Sequence, residues 1–174
     1  TGVGTTTLAA DITITATGSG NAIQLGDLIG QKDLTLDADG SASDIILNNA
    51  NIASLTINDA DDVTFSGNFA TTGNTTVSTA VTGTIIVNGS IDAGGAVTLV
   101  NNDSGSTGID INGAVSGTGG VTMTASAGNI DIDADVNAYG GSTIELTASA
   151  GSVNIAQNAA AAVTAVNGAI DINA

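Results

Sequence analysis

The stretch Val121-Thr122-Met123-Thr124-Ala125-Ser126-Ala127-Gly128-Asn129-Ile130-Asp131-Ile132 returns 23 residues later as Ile144-Glu145-Leu146-Thr147-Ala148-Ser149-Ala150-Gly151-Ser152-Val153-Asn154-Ile155. In both copies aliphatic residues alternate with polar ones, a small-residue turn intervenes, and the alternation resumes. Alternation with period two marks a half-buried β-strand. Its return at a fixed spacing marks a repeat whose units bury their apolar faces on one another.

The same register extends over the rest of the chain. A first column of strands is led by Ile12, Leu34, Leu55, Val77, Val97, Val121, Ile144 and Val163, at spacings between 19 and 24 residues. A second is led by Ile23, Ile45, Val63, Ile85, Ile109, Ile130, Val153 and Ile170. A third and shorter one is marked by Leu28, Ile52, Phe69, Ile91, Val115 and Val136. Gly, Asn, Ser and Asp fill the gaps, and these residues tolerate turn and left-handed geometry.

Three short strands per repeat predict an all-β chain folded as a parallel β-helix (β-solenoid) of about eight three-sided coils, each about 22 residues long. Residues 1–174 form one repeat domain, read as a fragment or unit of a longer array. At roughly 4.8 Å per coil the rod is about 38 Å long. The chain contains no proline, as expected where nearly every strand N–H bonds to a neighbouring coil. An antiparallel sandwich also has short strands and Gly-rich turns, but it lacks columns in phase at this period. Helix is expected nowhere; Ala159 to Ala162 is the one helix-like patch, and its neighbours do not continue it.

Composition excludes several function classes. The chain of 174 residues has 17 acids, one base (Lys32), no histidine and no cysteine, for a formal charge of −16. Phosphate neutralisation needs clustered Lys and Arg, so nucleic-acid binding is excluded. Docking to an anionic membrane surface fails for the same reason. Without His or Cys there is no zinc site of the usual kind, no thiol chemistry and no His-based triad. No apolar run is long enough to span a bilayer, so no membrane insertion is expected. Thr1-Gly2-Val3-Gly4 lacks the charged and apolar regions of a signal peptide, as in a mature chain or an excised fragment. An apolar content of 42% argues against disorder.

The outward positions carry whatever chemistry there is. Between the aliphatics of the first column stand Thr13, Thr35, Thr56, Ser78, Thr98, Thr122, Glu145 and Thr164. Threonine suits an exposed parallel strand because its β-branch packs on the coils above and below. An ice-binding face would need a regular array of Thr-x-Thr pairs. Only Thr13/Thr15 and Thr122/Thr124 supply them, and Asp37 and Glu145 interrupt the face. The second column carries Asp110, Asp131, Asn154 and Asp171 in its last four coils. Just beyond it lie Asn48, Ser66, Asn88, Asn112, Asp133, Ala156 and Asn173, which suit an amide ladder or turns.

Calcium is the one ion these acids suggest, since it takes six to eight oxygen ligands. Candidate ligands are Asp110 with Asp131 on adjacent coils, Asp133 and Asp135 on the same segment, and Asp37 with Asp39. Asp33, Asp37, Asp39 and Asp44 surround Gly40 in a passing likeness to a calcium loop, but that loop's closing Glu is absent. Asp59, Asp61 and Asp62 form a further cluster. The competing reading is that these acids are solvated turns, Asp being favoured because it bonds its own backbone.

The pattern Gly-x-Val-Thr-Leu, an Ala/Ser/Gly turn, Ile-Asp-Ile and then Val resembles the repeats of filamentous haemagglutinin-like adhesins. Gly95-Ala96-Val97-Thr98-Leu99 and Gly120 to Ile132 carry it best, and the likeness is clearest from about residue 90 onward. The resemblance implies a right-handed parallel β-helix serving as the shaft of a large bacterial surface or secreted protein. That family opens with a secretion domain bearing an Asn-Pro-x-Gly-type motif; with no proline here, the resemblance reads this chain as stalk.

The expected function is therefore a non-enzymatic extracellular structural protein: the shaft of a surface adhesin, or a self-assembling filament or matrix component. Its expected partners are further repeats of the same chain, or copies of itself joined end to end or laterally; the chain stops inside a repeat, at Ile170 to Ala174, with no polar cap. A single basic residue also leaves one trypsin site, an advantage outside a cell. The alternatives are a polysaccharide-acting β-helix enzyme and an ice-binding protein. A lyase would have only Lys32 as its base. A hydrolase could pair Asp131 with Asp133 or Asp110, with Phe65, Phe69 and Tyr139 as the only aromatic platforms. Lys32 is also the only amine for a side-chain cross-link to Asn or Asp, and none is expected.

Overall fold

The computed structural model describes residues 4–18, 20, 23–39, 42–103, 107–156 and 161–174. The helix-like patch at 159–162 therefore lies partly outside the described residues, as do Gly40 and Thr1 to Val3. Among the described residues the chain is all strand and turn, with no helix. The strands stack into three parallel sheets of eight, eight and seven strands. Strands visit the three sheets in strict rotation, which makes the molecule a three-sided β-solenoid.

The first sheet runs from Ile12–Thr17 to Ile170–Asn173 and holds the longest strands, among them Asp33–Asp39, Ser54–Ala60 and Thr75–Val81. The second runs from Ile23–Leu25 to Val153–Ile155. The third runs from Thr6–Thr7 to Val163–Ala165. Inward residues of all three meet in one apolar core. Leu34, Leu36, Leu55 and Ile57 from the first sheet are buried with Ile45, Val63 and Phe65 from the second and Ile52, Phe69 and Ile91 from the third. Phe65 and Phe69 are both buried and meet edge to face, with ring centroids 5.4 Å apart, a geometry aromatic pairs prefer. At the first and last strands of the first sheet the inward residues Ile12, Ile170 and Ile172 are exposed by 42%, 46% and 46%.

Stacking corrects the sequence columns at four places. In the first sheet Thr75, not Val77, stands between Leu55 and Val97, while Val77 pairs with Ile57 and Leu99. Thr75 faces inward and is fully buried, its hydroxyl bonded to that of buried Thr71 at 3.1 Å. A polar residue in an inward position breaks the apolar pattern, so the count slipped by two. In the third sheet Ala50 rather than Ile52 pairs with Leu28 and Phe69, and Ile52 pairs with Thr71.

The last coil differs most. Val163 belongs to the third sheet, beside Val136, and Ile170 to the first, beside Ile144. The connection from Ile155 to Val163 is longer than the equivalent connection in other coils, and counting a fixed period across it moved both residues one sheet along. Asp171 and Asn173 move with them, so they lie beside Glu145 and Thr147 and not in the second column.

One irregularity sits on the first sheet. Leu36 pairs with Ile57 but Asp37 with Asp59, which leaves Asn58 as an extra residue in its strand. The next strand shifts at the same level, between Val77 and Ala80, and the Ser78 hydroxyl donates to the Asn58 carbonyl. Such bulges bend a strand and re-aim its side chains; here the bulge sets Asp59 beside Asp37.

Candidate functional site

The solenoid offers three exposed faces and the corners between them, and no pocket is found among the described residues. The first face carries the most regular array. Thr13, Thr35, Thr56, Thr76, Thr98 and Thr122 are successive cross-strand partners, followed by Glu145 and Asp171. Thr76 takes the place expected for Ser78, so the threonine row is unbroken over six coils. Thr164 lies elsewhere, beside Asn137 on the third sheet. Each threonine contributes a β-branch that packs along the axis and a hydroxyl that faces water. The neighbouring outward row is mixed: Thr15 beside Asp37, Asp37 beside Asp59, then Val100, Thr124, Thr147 and Asn173 in sequence.

Asp110 and Asp131 are direct partners on the second face, and Asn154 follows Asp131. Each of the two carboxylates holds a carboxamide. Asn112 donates to Asp110 at 3.0 Å, and Asn154 donates to Asp131 at 2.6 Å. Donation from an amide disperses the repulsion between two carboxylates about 5 Å apart, which is worth about 1 kcal/mol in water. Asp133 is exposed. Asp135 accepts the Ala162 backbone N–H at 2.9 Å.

Asp37 and Asp39 share the bulged region with Asp59. Partial burial, then the charges of Asp39 and Asp37, push the Asp59 carboxyl above its ordinary range, against a smaller opposing bond from the Ala60 backbone. Among the described residues, no three of the acids converge closely enough to hold a metal ion. Of the candidate ligands, Asp110 and Asp131 are therefore brought together as a pair.

A different role for Asx side chains escaped the sequence reading. At corner after corner, a side-chain oxygen of one coil accepts a backbone N–H of the next. Asp11 accepts from Asp33 at 3.1 Å, Asn49 from Asn68 at 2.9 Å, Asn74 from Ala96 at 2.9 Å and Asn129 from Ser152 at 2.9 Å. Asp62 takes the Thr84 N–H in the same way. On one corner the contacts run on from coil to coil: Asn49 donates to Asp27 at 2.9 Å, its own oxygen takes the Asn68 N–H, and Ser90 donates to Asn68 at 3.1 Å. The offsets of 19 to 23 residues were visible in the sequence. What was invisible is that the backbone ladder is interrupted at these positions, leaving an N–H that an Asx side chain satisfies.

The aromatic platforms considered for a sugar site separate. Phe65 and Phe69 are core residues, and Tyr139 is 44% exposed. Lys32 is half-buried in a corner, where its carbonyl accepts the Ala53 N–H at 3.0 Å. Among the described residues no helix is long and apolar enough to cross a membrane. No family model, curated protein or solved structure matches the chain.

Proposed function

We propose that the chain is a length of extracellular shaft: a non-catalytic β-solenoid rod within a bacterial surface adhesin, or the subunit of a filament or matrix. The observation that carries this reading is the continuity of bonding along the axis. Three sheet ladders join each coil to the next, and Asx side chains join the corners between them. Every outward row is polar for most of its length, so the apolar core is sheathed in small polar residues and Asp. A charge of −16 on 174 residues keeps such a rod soluble and separates it from its neighbours. The likeness of Gly120 to Ile132 to filamentous haemagglutinin-like repeats agrees with this role.

Antibodies raised against the 174-residue chain test the location. Labelling of intact cells, with rods in electron micrographs of the released protein, is the expected result. Labelling only after the cells are permeabilised contradicts it. Sedimentation of the purified chain with and without calcium separates the two forms of the proposal: calcium-dependent fibres favour the filament, and unchanged monomers favour the passive shaft.

Ice binding is the second reading, and the six-threonine row on the first face favours it. Asp37, Asp59 and Val100 in the adjacent row count against it. Thermal hysteresis in the purified chain would establish this reading, and its absence would remove it.

A further inference from the structure

The chain contains three Asn-Gly steps: Asn88-Gly89, Asn112-Gly113 and Asn167-Gly168. We propose that Asn167 is a site of spontaneous deamidation in the folded protein, and that hydrogen bonding of the glycine N–H to the neighbouring coil shuts the same reaction off at Asn88 and Asn112. The chemistry needs the glycine nitrogen free to attack. Loss of its proton lets the nitrogen of Gly168 form a bond to Cγ of Asn167; the Cγ–Nδ2 bond breaks and the amide nitrogen leaves as ammonia. Solvent water then opens the five-membered imide at either carbonyl, leaving aspartate or isoaspartate, whose backbone runs through the side chain.

At the first two sites the nucleophile is engaged. The Gly89 N–H donates to the Phe65 carbonyl at 3.1 Å, and the Gly113 N–H donates to the Val87 carbonyl at 2.9 Å. Their turns are stacked without space between them. A Cβ on Gly89 would lie 2.0 Å from the Gly67 carbonyl oxygen, and one on Gly113 only 1.4 Å from that of Gly89. The leaving amide of Asn112 is held as well, donating to Asn88 at 3.2 Å and to Asp110 at 3.0 Å. Forming the imide there requires these hydrogen bonds to break first.

The third site lacks the hydrogen bonds that hold the other two, although its turn rests as closely on the coil beneath. Asn167 and Gly168 are exposed, and Asn167 holds φ at 62°. Among the described residues the Gly168 N–H donates to no acceptor, and the Asn167 amide makes no hydrogen bond. The product matters to the fold. A Cβ on Gly168 would fall 1.8 Å from the Ser142 carbonyl oxygen, so the added backbone atom of isoaspartate cannot be absorbed where that turn rests on the coil below. Modification therefore loosens Val163–Ala165 and Ile170–Asn173 and adds a charge near Asp171.

The test is incubation of the purified 174-residue chain at mildly alkaline pH, followed by peptide mapping with electron-transfer fragmentation to place each gain of about 1 Da. A second sample is kept in denaturing urea. The expected result is conversion at Asn167 at least about tenfold faster than at Asn88 or Asn112 when folded, and comparable rates at all three in urea, as local opening controls access. Equal rates in the folded chain, or protection of Asn167 to the level of the other two, overturns the proposal.

Discussion

The side-chain oxygen of Asn74 accepts the backbone N–H of Ala96 at 2.9 Å, joining one coil to the next at a corner where the strand ladder is interrupted. A Cβ on Gly95 would stand 2.2 Å from that same oxygen, so glycine keeps the space through which the contact is made. Asn74→Ala removes the acceptor and is expected to cost about 1 kcal/mol, whereas Asn74→Asp keeps an oxygen in place and costs less. Gly95→Ala should cost more than Asn74→Ala, because its Cβ displaces the oxygen and also meets the Gly73 carbonyl carbon at 2.8 Å. Chemical denaturation of the three variants checks the order.

The buried pair of Thr71 and Thr75 gives a sharper test. Thr71 donates to the Gly73 carbonyl at 2.9 Å, which leaves Thr75 as donor to Thr71 in their 3.1 Å contact. Thr71→Val strips both contacts and strands a buried hydroxyl, at an expected cost of about 1–3 kcal/mol. Thr75→Val leaves Thr71 satisfied by Gly73 and should cost less. In the double variant the stranded hydroxyl is gone, so its stability is expected above that of Thr71→Val alone. A double variant as unstable as the sum of the singles would contradict the assignment.

Asp59 makes the fold sensitive to pH in a defined direction. Its carboxyl is held above the ordinary 3.8 by partial burial and by Asp39 and Asp37. The unfolded chain therefore releases this proton more readily than the folded one, and stability is lost as pH rises through the folded value and regained on acidification towards 3.8. Asp59→Asn should raise the melting temperature at neutral pH, with the gain shrinking to nothing at about pH 4. Melting curves of both proteins across that range check the sign.

On the second face Asn154 separates Asp131 from further charge by donating to it. Asn154→Asp would put three carboxylates in a row with Asp110 and Asp131 and remove the donor. The expected loss is about 1 kcal/mol at low ionic strength, falling as salt screens the row. A loss independent of salt would mean that the hydrogen bond alone matters there.

Much of the fold was legible because alternation and period report two physical constraints at once. Ile12, Leu34, Val97, Val121 and Ile144 stand where the columns put them. The slips occurred where one constraint was hidden. Thr75 is inward yet polar, because Thr71 supplies its partner from another sheet. Val163 and Ile170 follow a long connection, across which period carries no information. The Asp and Asn positions were harder. A sequence shows that Asp62, Asn74 and Asn129 fall near turns, but which N–H is left over depends on where each ladder ends. The pairing of Asp37 with Asp59 arises from a bulge that adds one residue to a strand, a displacement that no count of apolar residues records.

The central claim is an axially continuous rod whose outward row places one threonine in each of six successive coils, and distances between spin labels measure it directly. The chain has no cysteine, so Thr13→Cys can be paired in turn with Thr76→Cys, Thr98→Cys and Thr122→Cys without interference. Stacked coils place these pairs three, four and five steps apart, and the separations should rise in equal steps through about 14, 19 and 24 Å. Separations that fail to rise from pair to pair, or that rise in unequal steps, would contradict the rod.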